Sequence, residues 1–400
     1  LTGTLMAAFG KVNITPEETM PLQGYDPFQY AANPATDILD DLYARIVVLD
    51  DGPNRCVIVC PDCGLSNEDF VQVPDPSGRP WLYRGFSNTF PSGTRRSWAE
   101  AAGTMEDRVS VNATHTHSAP VHFSEKYTNR IGDKIRELTA ALVPVRLKVG
   151  SGTCSISANR RPALKANDSL PVDRTLQVLI FESFEGKPIG SFVNCAVHPT
   201  IVWNKANRIS SEMVGLAMNT VENEYGDGFV SLFLQGFTGD VGPLVCGPTS
   251  GWKEDTYPLV IEAGQRLYAD IAETIRRVET VAAVPLDAMQ TIVKLPTVNG
   301  FHRSHLDVTL VGIRIGDLAI LTASGEIFNG YVGHIKPRSP FAHTLFCSLG
   351  NGYTGYLPTA KAFADGLGGY EMKTTPYTAS ACEPFTEAAV GLLERLMARD

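Results

Sequence analysis

Five short apolar runs in this 400-residue chain share one habit: each ends in polar or titratable side chains. Arg108 to Ala113 leads into Thr114-His115-Thr116-His117-Ser118, and Ser191 to Val197 leads into His198-Pro199. Val230 to Leu234 leads into Gln235-Gly236-Phe237-Thr238-Gly239-Asp240, and Leu318 to Thr322 into Ser324-Gly325-Glu326. Leu345 to Ser348 leads into Gly350 and on through Tyr353 to Tyr356. Runs of this length, rich in β-branched residues, read as buried strands. In open α/β sheets, ligands bind just beyond the carboxyl ends of the strands. The expected arrangement is therefore one site at one sheet edge.

The remaining pattern fills in the layers. Further strand-like runs lie at Ala44 to Leu49, Cys56 to Cys60, Leu176 to Phe181, Ile189 to Val197 and Val308 to Ile315. Helical spacing of apolar residues marks three segments: 127–143 (Ile131, Ile135, Leu138, Leu142), 259–278 (Leu259, Ala263, Leu267, Ile271, Ile275) and a closing helix through Ala388, Leu392, Leu393 and Leu396. A fourth helix runs from Glu212 to about Tyr225 behind Ser210-Ser211, which suit an N-cap. Strands and helices alternate without hairpin turns between many neighbours. The fold class is thus α/β: mixed β-sheets in a layered sandwich, helices on the outer faces, the site at the C-terminal strand ends. Pro/Gly-rich stretches at 73–93 and 242–258 read as long surface loops, and the second could act as a lid.

Composition excludes several classes of function. Hydrophobic residues make up 44% and charged residues 19%, which disordered chains do not match. A net charge of −9 without a basic cluster argues against a nucleic-acid partner. No apolar run approaches the roughly 18 residues of a transmembrane helix. Eight cysteines are too few for a disulfide scaffold. Cys60-Pro61-Asp62-Cys63 has the spacing of a redox or zinc pair, but no second such pair completes a zinc site. Cys56 and Cys60 are read instead as fillers of a buried strand. No signal peptide is visible, which favours the cytoplasm; secretion or a periplasmic location is the alternative if a signal has been removed.

The histidines carry the chemistry. His115 and His117 stand two apart at a strand end, so both can face the same side. Pro199 restricts His198 to an extended conformation, which suits a strand tip. Two histidines and a carboxylate from separate strands form a common catalytic zinc set with a position left for water. His302 and His305 are a rival pair, with Asp307 as the nearby carboxylate. His122, His334 and His343 have no partner in sequence.

These residues resemble the neutral/alkaline non-lysosomal ceramidase family of zinc-dependent amidases. The matching segments are Gly10-Lys11-Val12-Asn13-Ile14-Thr15-Pro16, Gly24-Tyr25, Asp41 to Arg45 and Val48 to Gly52. Then come Ala113 to Pro120, Asn159-Arg160, Val197-His198-Pro199, Gly239-Asp240-Val241, Gly325-Glu326, Gly355-Tyr356 and Gly369-Tyr370-Glu371, in the family's order and up to about residue 375. The resemblance implies a zinc ion held by His115, His198, Glu326 and Tyr356, with Tyr353 able to exchange roles with Tyr356. It implies zinc-activated water attacking an N-acyl amide. His117, Arg160 and Tyr370 match groups that contact substrate, and His117 and Tyr370 would hydrogen-bond the oxyanion or pass protons. Asp240 joins them as a candidate catalytic residue. Arg160 could instead pair with a structural carboxylate, and Arg161 beside it competes for its place.

Two departures bear on the substrate. Gly242 stands where the family carries a serine, and the chain is expected to be a short member without the β-sandwich domain into which ceramidases continue. A lipid, a smaller N-acyl compound or a saccharide could each be the substrate. The alternative reaction is a metal-dependent lyase or hydrolase acting on a uronic acid or other sugar, with Tyr370 and His117 as base and acid. Self-association is left open. Because residues from 115 to 356 must converge, the 400 residues are read as one zinc-hydrolase-like catalytic domain.

Overall fold

Strand Tyr43–Asp50 shows the plan of the molecule. Its side chains alternate between two cores: Ile46 and Val48 face one apolar cluster, Val47 and Leu49 the other. A strand buried on both faces reads in sequence as an unbroken apolar run, which is how this one reads. The computed structural model describes residues 3–23, 31–69, 88–161, 170–202, 207–245 and 256–399.

Two sheets lie face to face. The larger has strands in the order Val230–Gln235, Pro188–Cys195, Thr175–Ser183, Val143–Thr153, Met6–Asn13, Tyr43–Asp50, Arg55–Pro61, Val109–Val111, with Glu279–Val281 added beside Val143–Thr153. The smaller runs Leu286–Pro296, His305–Ile315, Leu318–Ala323, His343–Cys347. Val47, Ile58, Phe181 and Phe192 of the first pack against Val311, Ile313, Ile320 and Leu345 of the second.

Helices cover the outer faces, as the sequence predicts. Helices α1 (Thr94–Ala102) and α2 (Glu125–Ala140) seat Trp98, Ile131, Ile135 and Leu138 on one half of the large sheet. Helices α3 (Glu212–Tyr225) and α4 (Tyr257–Ile275) seat Met213, Val221, Leu267 and Ile271 on the other half. Three short helices come next: α5 (Tyr331–Ile335), α6 (Ala360–Ala364) and α7 (Tyr370–Thr374). The closing helix α8 (Cys382–Met397) lays Phe385, Leu392, Leu393 and Leu396 on the small sheet. The result is four layers, helix, sheet, sheet, helix.

Three parallel strand pairs position the polar tips. Arg55–Pro61 runs parallel to Val109–Val111, Pro188–Cys195 to Val230–Gln235, and Leu318–Ala323 to His343–Cys347. All five strands singled out in sequence belong to these pairs. Parallel pairing puts their C-terminal ends side by side, and the two sheets bring those ends to one edge. Among the described residues no helix is long and apolar enough to cross a membrane.

Candidate metal centre and active site

Backbone bonds stitch the strand tips together across the two sheets. Ser348 N–H donates to the Gln235 carbonyl, and Ala113 N–H to the Leu349 carbonyl. The buried Gln235 side chain donates to the carbonyls of Thr114 and Val197 and accepts from Val197 N–H. One amide thus ties the His115 tip to the His198 tip. Past the fourth tip, Glu326 pairs in parallel register with Tyr356. Gly239 lets its loop approach this bridge; a Cβ there would lie 2.6 Å from the Glu326 carbonyl oxygen.

At the centre, His115 Nε2 and His198 Nε2 lie 3.4 and 3.5 Å from the same carboxylate oxygen, Glu326 Oε2. Each ring is fixed from behind. His115 Nδ1–H donates to the Gly64 carbonyl at 2.5 Å, and His198 Nδ1–H to the Thr238 carbonyl at 3.1 Å. Holding Nδ1–H this way aims the Nε2 lone pair forward, as in metal-ligating histidines. His115 takes this position at φ 73°, a left-handed conformation that is rare outside glycine and tends to persist at functional sites.

Several atoms here fail the usual rule that buried polar groups are hydrogen-bonded, Arg160 Nε and both Glu371 oxygens among them, and two others face each other across the centre. His198 Nε2 and Glu326 Oε2 are buried and have no hydrogen-bond partner. Burial, with Arg160 and the neighbouring histidines, holds the His198 imidazole well below the usual histidine range, in the neutral form that binds metal. Burial would raise the Glu326 carboxyl, but His115, Arg160 and Tyr356 outweigh it and keep it ionised. An aimed, neutral nitrogen and a charged oxygen, both unsatisfied and converging, fit a bound cation. Among the described residues, His115, His117 and His198 form the group whose nitrogens lie near enough to hold one, all within 4.8 Å of each other.

The surrounding groups fall into distinct positions. Tyr353 donates its hydroxyl to Glu326 Oε1 at 2.9 Å, on the side away from the histidines. Tyr356, the strand partner of Glu326, accepts from Arg160 Nη2 at its hydroxyl at 3.2 Å. Arg160 Nη2 also donates to the Gly239 carbonyl, and Arg160 Nε lies 2.7 Å from Glu371. Tyr370 sets its ring edge-on to Tyr356, centroids 6.0 Å apart. His117 is half-buried, its Nε2 3.3 Å from His115 Nε2; burial, then His115 and Arg160, push its imidazole well down. Asp240 uses both carboxylate oxygens on the scaffold, one on Asn159 Nδ2 and one on Asn329 N–H. It holds three site-bearing loops together.

A second buried carboxylate supports the His198 loop from below. Glu212 opens α3 at φ 60° and accepts from Val202 N–H at 2.6 Å. Burial raises its carboxyl to about 7 from an ordinary 4.5. A carboxyl raised on folding favours the native state below its unfolded pKa, and that advantage is lost as pH rises through the folded value. Wild-type stability should therefore fall across pH 4.5 to 7, and Glu212→Gln should remove on the order of 1–3 kcal/mol of that slope. Denaturant midpoints at pH 5 and 8 measure it; parallel profiles for the two proteins would refute it.

All eight residues chosen from sequence (His115, His117, Arg160, His198, Asp240, Glu326, Tyr356, Tyr370) lie in this linked set of strand tips and loops. The rival pair does not join them: His305 is exposed beside Asp307, and His302 rests on Phe301. Cys56 and Cys60 fill the strand as expected, and burial pushes the Cys56 thiol up to about 12. Cys63 donates to the Leu65 carbonyl. Gly24-Tyr25 and most of 73–93 and 242–258 lie outside the described residues. Sequence reasoning gave no role to Gln235 or Glu371, although both stood inside the motifs. The Gly64 and Thr238 carbonyls carry no side-chain signal at all.

Four layers with a metal-competent cluster of imidazole, carboxylate and phenol at one sheet edge define a layered α/β protein with an enzyme-like polar site. No protein-family model matches the chain. In sequence it is 31% identical to the neutral ceramidase of Pseudomonas aeruginosa over 196 residues, 42% of this chain and 29% of that protein. It is 29% identical to the neutral ceramidase of Drosophila melanogaster over 283 residues, 62% of this chain and 37% of that one. The matched regions thus span about a third of these relatives' length. In structure it superimposes on the crystal structure of the Pseudomonas aeruginosa neutral ceramidase with a TM-score of 0.76 at 21% identity, covering 98% of this chain and 75% of the other. A ceramidase structure described as complexed with C2 gives the same score. The chain is thus similar in sequence to parts of the neutral ceramidases, and it shares the fold of the solved one.

Proposed function

We propose that this chain is a zinc-dependent amidase that hydrolyses an N-acyl bond, with ceramide-like N-acyl sphingoid lipids as the substrate class. The observation that carries this is the pair of buried, unpartnered atoms His198 Nε2 and Glu326 Oε2, aimed at each other beside His115 in a chain similar in sequence to parts of the neutral ceramidases. His115, His198 and Glu326 would hold zinc, with Tyr356 as the fourth ligand. Bound there, zinc lowers the pKa of water toward about 7 and polarises a carbonyl.

The chain's own groups do the rest. His117, kept neutral by burial, is ready to accept a proton at neutral pH and return it to the leaving amine. Tyr370 offers a hydroxyl to the oxygen on which charge develops. Arg160, beside the Tyr356 hydroxyl, adds positive charge at the same place. Asp240 and Tyr353 hold the loops and the Glu326 carboxylate still.

Metal analysis of the purified chain should give about one zinc, as expected for a single catalytic centre. A fluorescent N-acylsphingosine should release its fatty acid in a chelator-sensitive way. A metal-free native protein, or an ultraviolet-absorbing unsaturated sugar released from an oligosaccharide panel with the lipid untouched, would overturn the proposal.

A further inference from the structure

Two adjacent arginines each meet an acid at one end of the same short segment. Arg160 pairs with Glu371 at 2.7 Å, and Arg161 pairs with Asp365 through two contacts, the shorter 2.8 Å. Between those acids lie Gly366, Leu367, Gly368, Gly369 and Tyr370. Gly366, Gly368 and Gly369 all have positive φ, at 68°, 62° and 109°. Such a run has little conformational preference of its own, so its shape is set at its ends. Glu371 is fully buried. The packing around it is tight: a Cβ on Gly369 would lie 3.0 Å from Glu371 Oε2 and 3.5 Å from Arg161 Cγ. Arg161 also lies over the Phe328 ring, two residues beyond Glu326.

We infer that Glu371 is a positioning residue, which with Asp365 clamps the glycine-rich segment onto Arg160-Arg161 and so seats Tyr370 over the candidate site. Arg160 has two duties: its Nε side anchors Glu371, and its Nη2 donates to the Tyr356 hydroxyl. The Glu371 carboxylate thereby fixes Arg160 against Tyr356 and Tyr370 against the same ring. Asp365, nearer the surface, closes the other end and also caps Leu367 N–H. This inference rests on the amidase reading only for the part Tyr370 plays in turnover. The seating itself does not depend on it.

The test uses the 400-residue, zinc-supplemented chain with Glu371→Gln, Asp365→Asn and Tyr370→Phe, and Glu387→Gln of the exposed Arg338–Glu387 pair as control. Hydrogen exchange of a peptide covering 366–375 should quicken about tenfold or more in Glu371→Gln and Asp365→Asn, with exchange in α8 unchanged, as local loosening requires. With N-acylsphingosine, Glu371→Gln should lower kcat about 10- to 100-fold while KM stays within about threefold and zinc content is kept, because misplacing a reacting group costs rate more than binding. In a Tyr370→Phe background, Glu371→Gln should cost less than about twofold more, since coupled residues do not add. Equal losses in both backgrounds, or unchanged exchange in both clamp variants, would overturn the inference. If Glu371→Gln does not fold, Asp365→Asn carries the same readings. If the wild type neither holds zinc nor cleaves the amide, the amidase reading falls and the exchange result still decides the clamp.

Discussion

His198→Ala should strip the metal from the protein and end turnover. Outer-shell partners of a metal typically contribute 10- to 100-fold in affinity or activity, so loss of an inner ligand should exceed about 100-fold in zinc affinity. Little else is expected to change. Among the described residues, His198 makes one side-chain hydrogen bond, to the Thr238 carbonyl, and its Nε2 has no hydrogen-bond partner. The fold around it is carried by Gln235 and by the Val241 carbonyl, which accepts from His198 N–H. A ligand that binds only the native state adds stability by mass action. With zinc present, the wild type should melt above the variant; with a chelator, the two curves should come together. A variant that binds zinc normally, or that unfolds under both conditions, would remove His198 from the ligand set.

Arg45→Met should be among the most destabilising single changes in the chain. Arg45 is 1% exposed, with Nε 2.7 Å from Glu222, Nη1 3.1 Å from Asp62, and Nη2 2.7 Å from Asn219 Oδ1. Lys11 is a second base for Glu222 but does not reach Asp62 in this network. Removing one partner of a buried pair typically costs about 3–5 kcal/mol, because the other charge stays buried alone. Burial already raises the Asp62 carboxyl to about 6 from an ordinary 3.8. Its contribution to stability is therefore full in acid and is lost as pH rises through about 6. Without the guanidinium, Asp62 takes up a proton more readily still. The defect of Arg45→Met should thus be smaller at pH 5 than at pH 8, and Asp62→Asn added to it should recover part of the loss. Chemical denaturation at both pH values measures this; an equal loss at both would refute the account. Zinc affinity should drop as well. Asp62 precedes Cys63 and Gly64, whose carbonyls accept from His115 N–H and His115 Nδ1–H.

Much of this was legible in the sequence because one signal, an apolar strand ending in polar side chains, encodes both fold and site. α3 runs from Glu212 to Tyr225, the span its pattern predicts. The misses have physical causes. Val143–Thr153 alternates buried with exposed residues and carries Gly150 and Gly152, so it shows no apolar run. Gly150 and Gly152 are small because Thr274 of α4 presses against them. Leu286–Pro296 is the edge of its sheet, with Ile292 56% exposed, and edge strands need no continuous apolar face. At the site, side-chain chemistry pointed to His115 and His198, and the family resemblance to Glu326. Nothing in residue type could reveal that backbone carbonyls hold both rings, or that Glu371 sits behind Arg160. Those facts arise only when distant segments meet.

The bond between Ser348 N–H and the Gln235 carbonyl joins the two sheets, and the candidate ligands converge only across that join. His115 and His198 come from one sheet, Glu326 and Tyr356 from beside the other. Among the described residues, His115, His198 and Glu326 come together only where both sheets meet. Long-range pairings of this kind are slow to close and give no reward until they do. A metal held at the proposed site would therefore enter a folded scaffold rather than a growing chain.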